Sequence, residues 1–591
     1  MGAGHCLISQ KSMVFDSLGI ICYPKIYILF AKLAMSNIEI KRLLVTIKLR
    51  KLICVFLIAH TLIASKAKGM DVQLKKKINR YVTPVFWLSI GMVGLVVLLG
   101  SVFSTKFKLV TEQVRNFISN YLGWYYLLLV AGIVFFCLFI IVSPIGQIRL
   151  GDPDSKPEYS KLSWIAMLFS AGMGIGLVFW GAAEPLSHYA VSAPQGQIGT
   201  PEALADAFRY TFFHWGIHAW AVYALVALAL AYFKFRKKEK SLISVTLKPI
   251  FGQNTDGFLG KIIDSITVFA TVIGVATTLG FGAIQINGGL KYLFGIPKNI
   301  YVQIIIIAAT TICFIMSALS GIGKGVKILS NINIILAAAL LSLAIIVGPS
   351  VSIINTFLES LGGYMQSFLR MSFRTAAFDA EQQAWIHTWT IFYWAWWISW
   401  SPFVGVFIAR ISKGRTIREF LTNVILIPTL FCCLWFSTFG ALSINAQNNG
   451  AELTTLSTEE VLFGTFNHYS LGIVLSLIAM LLVYIFFITS ADSATFVLGM
   501  LSEDGSLYPH NKVKAVWGIL ISAISIVLLM AGGLDALQNI LIIVALPFSV
   551  IILLIMISLF IELHHEKKEM GLYIKPENYP SKEEPFKSYE D

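Results

Sequence analysis

The stretch Phe392-Tyr-Trp-Ala-Trp-Trp-Ile-Ser-Trp-Ser-Pro-Phe403 carries no charge and does not alternate polar with apolar residues. Phe392, Trp396, Trp400 and Phe403 recur at i, i+4, i+8 and i+11, which is one face of a helix, with Trp397 beside them. The stretch sits inside an uncharged apolar run over residues 385–409. A helix of that length crosses a hydrocarbon core about 30 Å thick. A membrane strand would alternate apolar with polar residues, and this run does not. The stretch is read as a membrane-spanning helix, and the fold class depends on whether others accompany it.

They do. Eleven more apolar runs lie between residues 84 and 562, among them 163–184, 212–233, 262–286, 469–490, 514–531 and 538–562. The chain is 57% hydrophobic with a mean hydropathy of +0.75. Charged residues make up 13%, about half of what a soluble chain carries. The expectation is an all-α polytopic membrane protein with a twelve-span core over 70–562 and a cytoplasmic tail over 563–591. The net charge of +13 would suggest a nucleic-acid partner if it were spread over a soluble surface. Here it falls in loops: Lys234, Arg236, Lys237, Lys238, Lys240, Lys248 and Lys261 in one, Arg410, Lys413, Arg415 and Arg418 in another. The loop 445–468 has no Lys or Arg. Basic loops face the cytoplasm, so both ends of the core are expected there and no nucleic-acid partner is.

Residues 1–69 hold ten Lys and Arg against two Asp and Glu. Within them Lys51 to Ala67 imitates a signal peptide, with a basic flank, an apolar run and small residues at its end. A second basic lead-in then follows Met70, with Lys75, Lys76, Lys77 and Arg80. The prefix is read as an atypical extension, either from a start assigned upstream of Met70 or as a real added element. The seven cysteines show no metal-ligand spacing and suggest no disulfide framework.

Two spans carry helix-breaking residues. The third reads Ser170-Ala-Gly-Met-Gly-Ile-Gly176. Each of Gly172, Gly174 and Gly176 costs about 1 kcal/mol relative to alanine within a helix. Two readings compete: an unwound segment lining a cavity, and a packing face of small residues. In the eighth span Pro402 removes a backbone donor and crowds the carbonyl of Ile398, so an interruption is expected there too. Interrupted helices five spans apart point to a site between two inverted halves.

The fourth span adds Trp215, Trp220 and Tyr223, within an arc of about 140° at about 100° per residue. Together with Trp396, Trp397 and Trp400 they form either helix-packing aromatics or a box whose π-faces attract a quaternary ammonium ion. The tenth span ends Phe486-Phe-Ile-Thr489-Ser490, with two adjacent hydroxyls that suit a hard cation. Bonding back to their own helix is the alternative. His214 and His218 lie one turn apart without a third metal ligand near them in sequence and are read as polar packing. Glu184, Asp264 and Asp492 sit near span ends, and the sequence assigns them no role. No enzyme motif is present.

Gly-Met-Gly-Ile-Gly176, His214-Trp-Gly-Ile-His-Ala-Trp-Ala-Val-Tyr223, the 392–403 stretch and Thr489-Ser-Ala-Asp-Ser493 resemble the betaine/carnitine/choline transporter family over about residues 75–562. The resemblance is to its sodium-coupled glycine betaine members in particular. It implies a LeuT-like fold of two inverted five-helix repeats preceded by two extra helices. It also implies a homotrimer in the plasma membrane, with the amphipathic segment 352–384 at the subunit contact. Trp215, Trp220, Tyr223 and Trp397 would surround the trimethylammonium group. Trp396, Trp400 and Phe392 would line the path to the cytoplasm, and Thr278 and the glycine stretch would meet the substrate carboxylate. One sodium ion would bind Ser170, Met173, Phe486, Thr489 and Ser490. A second would bind Thr271 and the region of Phe403, where Val275 replaces a further hydroxyl of the family. Members that carry choline with protons tend to have aspartate where this chain has Gly176. Choline or carnitine transport, or a passive channel or osmosensor, are the alternatives.

Overall fold

The structure is a computed structural model that describes residues 83–172, 174–320 and 325–570. The extension 1–69, Met173 and the end of the tail lie outside the described residues. Numbering only the longer helices, these are α1 Pro84–Val102, α2 Ser104–Val142, α3 Lys161–Gly172, α4 Ile175–Ala190, α5 Pro201–Trp215, α6 Ile217–Ala231, α7 Phe258–Phe294, α8 Ile300–Ser320 and α9 Gly325–Val347. They continue with α10 Ser350–Ser372, α11 Ala380–Thr388, α12 Thr390–Ile411, α13 Ile417–Asn448, α14 Gly472–Ser502 and α15 Asn511–Glu569. Among the described residues no strand occurs beyond one isolated bridge, Arg149 to Thr416. Ten helical stretches among the described residues are long and apolar enough to cross a membrane. The all-α polytopic expectation holds.

Local chemistry sets the helix ends. Thr83 caps α1, its Oγ1 accepting from Phe86 N at 3.3 Å, with Pro84 following at the first position. Thr416 caps α13 through Glu419 N at 3.2 Å, and Glu419 stands three residues on as a capping box requires. Helix α7 stops at Gly295 in the left-handed region (φ 68°), where Ile296 N reaches back to Leu290 O. Helix α15 has 59 residues, about 88 Å if straight and far more than one crossing needs. It breaks at Gly532 and Gly533, and the φ of 63° and ψ of −134° at Gly533 suit glycine. The break falls between the two spans expected at 514–531 and 538–562.

The centre of the bundle is α6, α7 and α12. Every residue of α6 is buried, and α12 is buried apart from Phe407 and Arg410. These two helices pack along one another, and α7 packs along α15. Helices α1, α8 and α9 lie at the rim and expose Leu95, Leu98, Ile305, Ile312, Ile335 and Ile346, as lipid-facing surfaces do. The amphipathic α10 buries Ile353, Ser360, Tyr364 and Met371 and exposes Val351, Ile354, Leu358, Met365 and Leu369. Arg236 and Lys237, at the start of the basic loop after α6, pair with Glu566 and Glu562 near the end of α15 at 2.6 and 2.7 Å. The basic loop and the end of α15 therefore share one side.

The eighth span corrects one expectation. Helix α12 runs unbroken through Pro402. The Ile398 carbonyl, deprived of its donor by the proline, accepts the Ser401 hydroxyl at 2.8 Å. A neighbouring serine re-satisfies the freed carbonyl, and the helix continues.

Candidate substrate site

The third span is interrupted at its glycines, the first of the two competing readings. Helix α3 ends at Gly172, Gly174 is extended (φ −151°, ψ −168°), and α4 begins at Ile175. Side chains of neighbouring helices hold the start of α4: Trp435 Nε1 donates to Leu177 O at 2.8 Å and Gln285 Nε2 to Val178 O at 3.1 Å. A second interruption, unexpected from the sequence, separates α5 from α6 at Gly216 (φ −95°, ψ −134°). A Cβ there would collide with the Phe212 carbonyl and crowd Thr429 and Tyr364, so only glycine fits. Trp215 and His214 are thereby the last residues of α5, facing α12.

The aromatic rings converge beside these breaks. Trp396 and Trp397 stack at 5.2 Å and 9°. Trp215 stands edge-on to both, at 5.9 and 4.9 Å. Tyr223 meets Trp397 at 6.0 Å, and Trp220 joins the group through Tyr223 at 5.6 Å. Hydrogen bonds fix the indoles. Trp397 Nε1 donates to His214 O at 2.9 Å, Trp396 Nε1 to Thr278 Oγ1 at 3.2 Å and Trp400 Nε1 to Gly274 O at 2.9 Å. Gly176 lies under the box, where a Cβ would come within 2.7 Å of Trp396 Cη2 and 2.9 Å of Trp215 Cη2. A Cβ at Gly174 would lie 3.5 Å from Trp400, in ordinary contact.

The residues expected to line the path differ in their neighbours. Phe392 sits against Trp396 and Trp180, at 5.6 and 6.2 Å. Trp180 and Trp389 border a cavity of about 280 Å³ that also touches Leu453 and Thr458 of the 445–468 loop. Trp400 and Phe403 pack on one another, 5.5 Å apart. Phe392 precedes Trp396 by one turn on α12 and Trp400 follows it by one, so the three are spread along the helix over about two turns.

Among the residues carried over as sodium ligands, Thr489 donates to Ile485 O at 3.0 Å and accepts from Asn333 Nδ2 at 3.1 Å. Thr271 donates to Thr267 O at 2.8 Å, and Thr278 to Gly274 O at 3.2 Å. Of the two hydroxyls for which the sequence left back-bonding open, Thr489 makes that bond; Thr271 and Thr278, the latter expected at the substrate carboxylate, bond in the same way. Thr489 and Ser490 are half-buried, and Val275 is buried. Phe486 lines a cavity of about 290 Å³ together with Leu177 of α4 and Asn333, so the tenth span lies beside the interrupted third. The side chain of Ser170, like Met173, lies outside the described residues.

Sequence reasoning missed several members of the site. Tyr393 stacks on Trp397 at 5.8 Å, and Phe436 of α13 packs on Trp215 at 4.9 Å. Asn333, an amide in an apolar span, was a usable signal. So was Glu184. The third partner that His214 lacked in sequence is this carboxylate: Glu184 Oε1 lies 2.7 Å from His214 Nδ1 and 3.3 Å from His188 Nε2. His218 turns away to Ser372 Oγ at 2.8 Å and Tyr364 at 3.4 Å.

Helices interrupted beside a buried cluster of indoles, within a bundle of membrane-length apolar helices, define a multi-pass membrane transporter. The profile of the betaine/carnitine/choline family transporters matches residues 84–568. The chain belongs to that family, and so to transporters and not enzymes. It is 56% identical over 492 residues to the glycine betaine transporter OpuD of Bacillus subtilis, covering 83% of this chain and 96% of that one. It is 44% identical over 480 residues to the ectoine/hydroxyectoine transporter of Virgibacillus pantothenticus, covering 80% and 95%. A glycine betaine transporter of Acinetobacter baylyi is 40% identical over 479 residues, covering 80% and 72%.

Proposed function

We propose that this protein imports glycine betaine, or a closely related quaternary-ammonium osmolyte, by sodium symport. The observation that carries the reading is the box of Trp215, Trp396, Trp397 and Tyr223. A trimethylammonium group offers no hydrogen-bond donor, and indole faces are what attract such a cation. The substrate carboxylate suits the first turn of α4, where backbone N–H groups of an interrupted helix point at an anion. Relatives named for glycine betaine support the same substrate.

Sodium would bind Thr489 and Ser490 of α14 with Phe486, Ser170 and Met173, and a second ion near Thr271 and Phe403. The position of Phe486 and Leu177 on one cavity supports the first site. The interruption between α3 and α4 counts as one crossing and the two halves of α15 as two, which supports twelve spans in two inverted repeats after two leading helices. The shared side of the basic loop and the end of α15 supports cytoplasmic termini. The exposed apolar face of α10 supports a homotrimer contact.

Uptake of labelled betaine into proteoliposomes, with and without an inward sodium gradient, tests the proposal. Saturable uptake concentrated by the gradient is expected. Passive, non-saturable flux would mean a channel, and gradient-driven uptake of choline but not betaine would move the substrate.

A further inference from the structure

Glu184 is fully buried on α4, about two turns beyond Gly176, and both its oxygens are saturated. Oε1 faces His214 Nδ1 and His188 Nε2. Oε2 accepts from Trp215 Nε1 at 2.7 Å and from the Tyr393 hydroxyl. A carboxylate can only accept, so the two facing histidine nitrogens carry protons. His214 Nε2, 3.0 Å from Thr390 Oγ1, can then accept from that hydroxyl, while His188 Nδ1 has no partner. Neither ring needs a second proton for these bonds, so the cluster keeps the negative charge of the carboxylate.

Trp215 is therefore held at both ends. Its N–H points at the buried carboxylate, and its six-membered ring points over Gly176 into the box. Donating to a carboxylate pushes electron density into the indole, and the charge itself acts through a wall from which water is excluded. Both effects strengthen the pull of the Trp215 face on a cation.

Resting on the substrate reading above, we propose that Glu184 is a positioning residue of the box: its carboxylate orients Trp215 and makes the site select a trimethylammonium group over an uncharged group of the same shape. Glu184 touches no substrate. It acts through Trp215 and, from behind, through Tyr393.

The test is a comparison of two ligands on the purified full-length protein. One is betaine, and the other is 3,3-dimethylbutanoate, in which carbon replaces the nitrogen. Wild type should bind betaine more tightly than this isostere. Glu184→Gln keeps the shape and removes the charge. It should raise the betaine Kd on the order of tenfold and leave that of the isostere within about twofold. In a Trp215→Phe background the same substitution should cost betaine much less. Equal weakening of both ligands, no weakening, or additive costs in the double variant would overturn the proposal. A wild type that does not bind betaine would instead overturn the substrate reading, and this inference with it. Where Glu184→Gln does not assemble, judged by a thermal melt in detergent, 3-benzothienylalanine at position 215 carries the test: it keeps the fused ring and the charge and removes only the N–H. Its ratio of betaine to isostere affinity should fall, and an unchanged ratio would refute the role of Glu184.

Discussion

Gly176 stands where two walls of the box leave no room for a side chain. An added Cβ would meet Trp396 Cη2 at 2.7 Å, Trp215 Cη2 at 2.9 Å and Trp396 Cζ2 at 3.2 Å. Ordinary contact begins near 3.4 Å, so both ring tips would have to retreat by about half an ångström or more. Neither is free to swing. Trp215 is tied to Glu184 at 2.7 Å and Trp396 to Thr278 at 3.2 Å. The remaining freedom is outward movement of the α4 backbone, which Trp435 and Gln285 resist through Leu177 O and Val178 O. Overpacking of one methyl in such a place costs about 1–3 kcal/mol. If most of that strain is relieved only by opening the box, Gly176→Ala should weaken betaine binding by about fivefold to a hundredfold. Tryptophan fluorescence titration with betaine measures the affinity, and proteoliposome uptake gives the matching KM. A thermal melt checks that the variant still folds. Binding of betaine by Gly176→Ala at wild-type affinity would refute the reasoning, because it would place the substrate away from these two rings.

Other substitutions probe the neighbouring parts. Trp397→Leu keeps an apolar side chain but removes the π-face stacked on Trp396 and the donor to His214 O; betaine affinity should fall by about 0.5–2 kcal/mol while assembly persists, as read by titration and size-exclusion chromatography. Replacing both Thr489 and Ser490 with alanine should raise the sodium concentration for half-maximal uptake on the order of tenfold or more; an unchanged sodium curve would remove them from the ion site. Gly176→Asp should shift competition from betaine toward choline and weaken sodium dependence, with low total uptake because the new side chain must displace Trp396 or Trp215; an unchanged ratio would place selectivity elsewhere. Ser401→Ala should lower thermal stability by about 1–3 kcal/mol and leave betaine affinity intact, since it strips the Ile398 carbonyl of its remaining donor without touching the box.

The sequence by itself determined the membrane class, the all-helical architecture, the glycine stretch as one of the places where a helix could break and the aromatic stripe of α12. Each depends on composition or spacing over a short window, and hydropathy and helical period are local properties. The tertiary structure decided matters that depend on partners distant in the chain. A lone glycine in an apolar helix does not announce a break; only the fold shows that the chain leaves its helix at Gly216, where a Cβ would meet the Phe212 carbonyl, Thr429 and Tyr364. Pro402 does announce one, yet the helix continues because a hydroxyl one residue before the proline reaches the freed carbonyl. The sequence placed Phe392 and Trp400 on one stripe; the fold decided that Phe392 packs on Trp180 and Trp400 on Phe403. Glu184 was visible as an acid near a span end, but its meaning lies in donors 4, 30, 31 and 209 residues away on three helices. A buried charge is tolerable only when such donors surround it, and no local pattern encodes where a folded chain will bring them together.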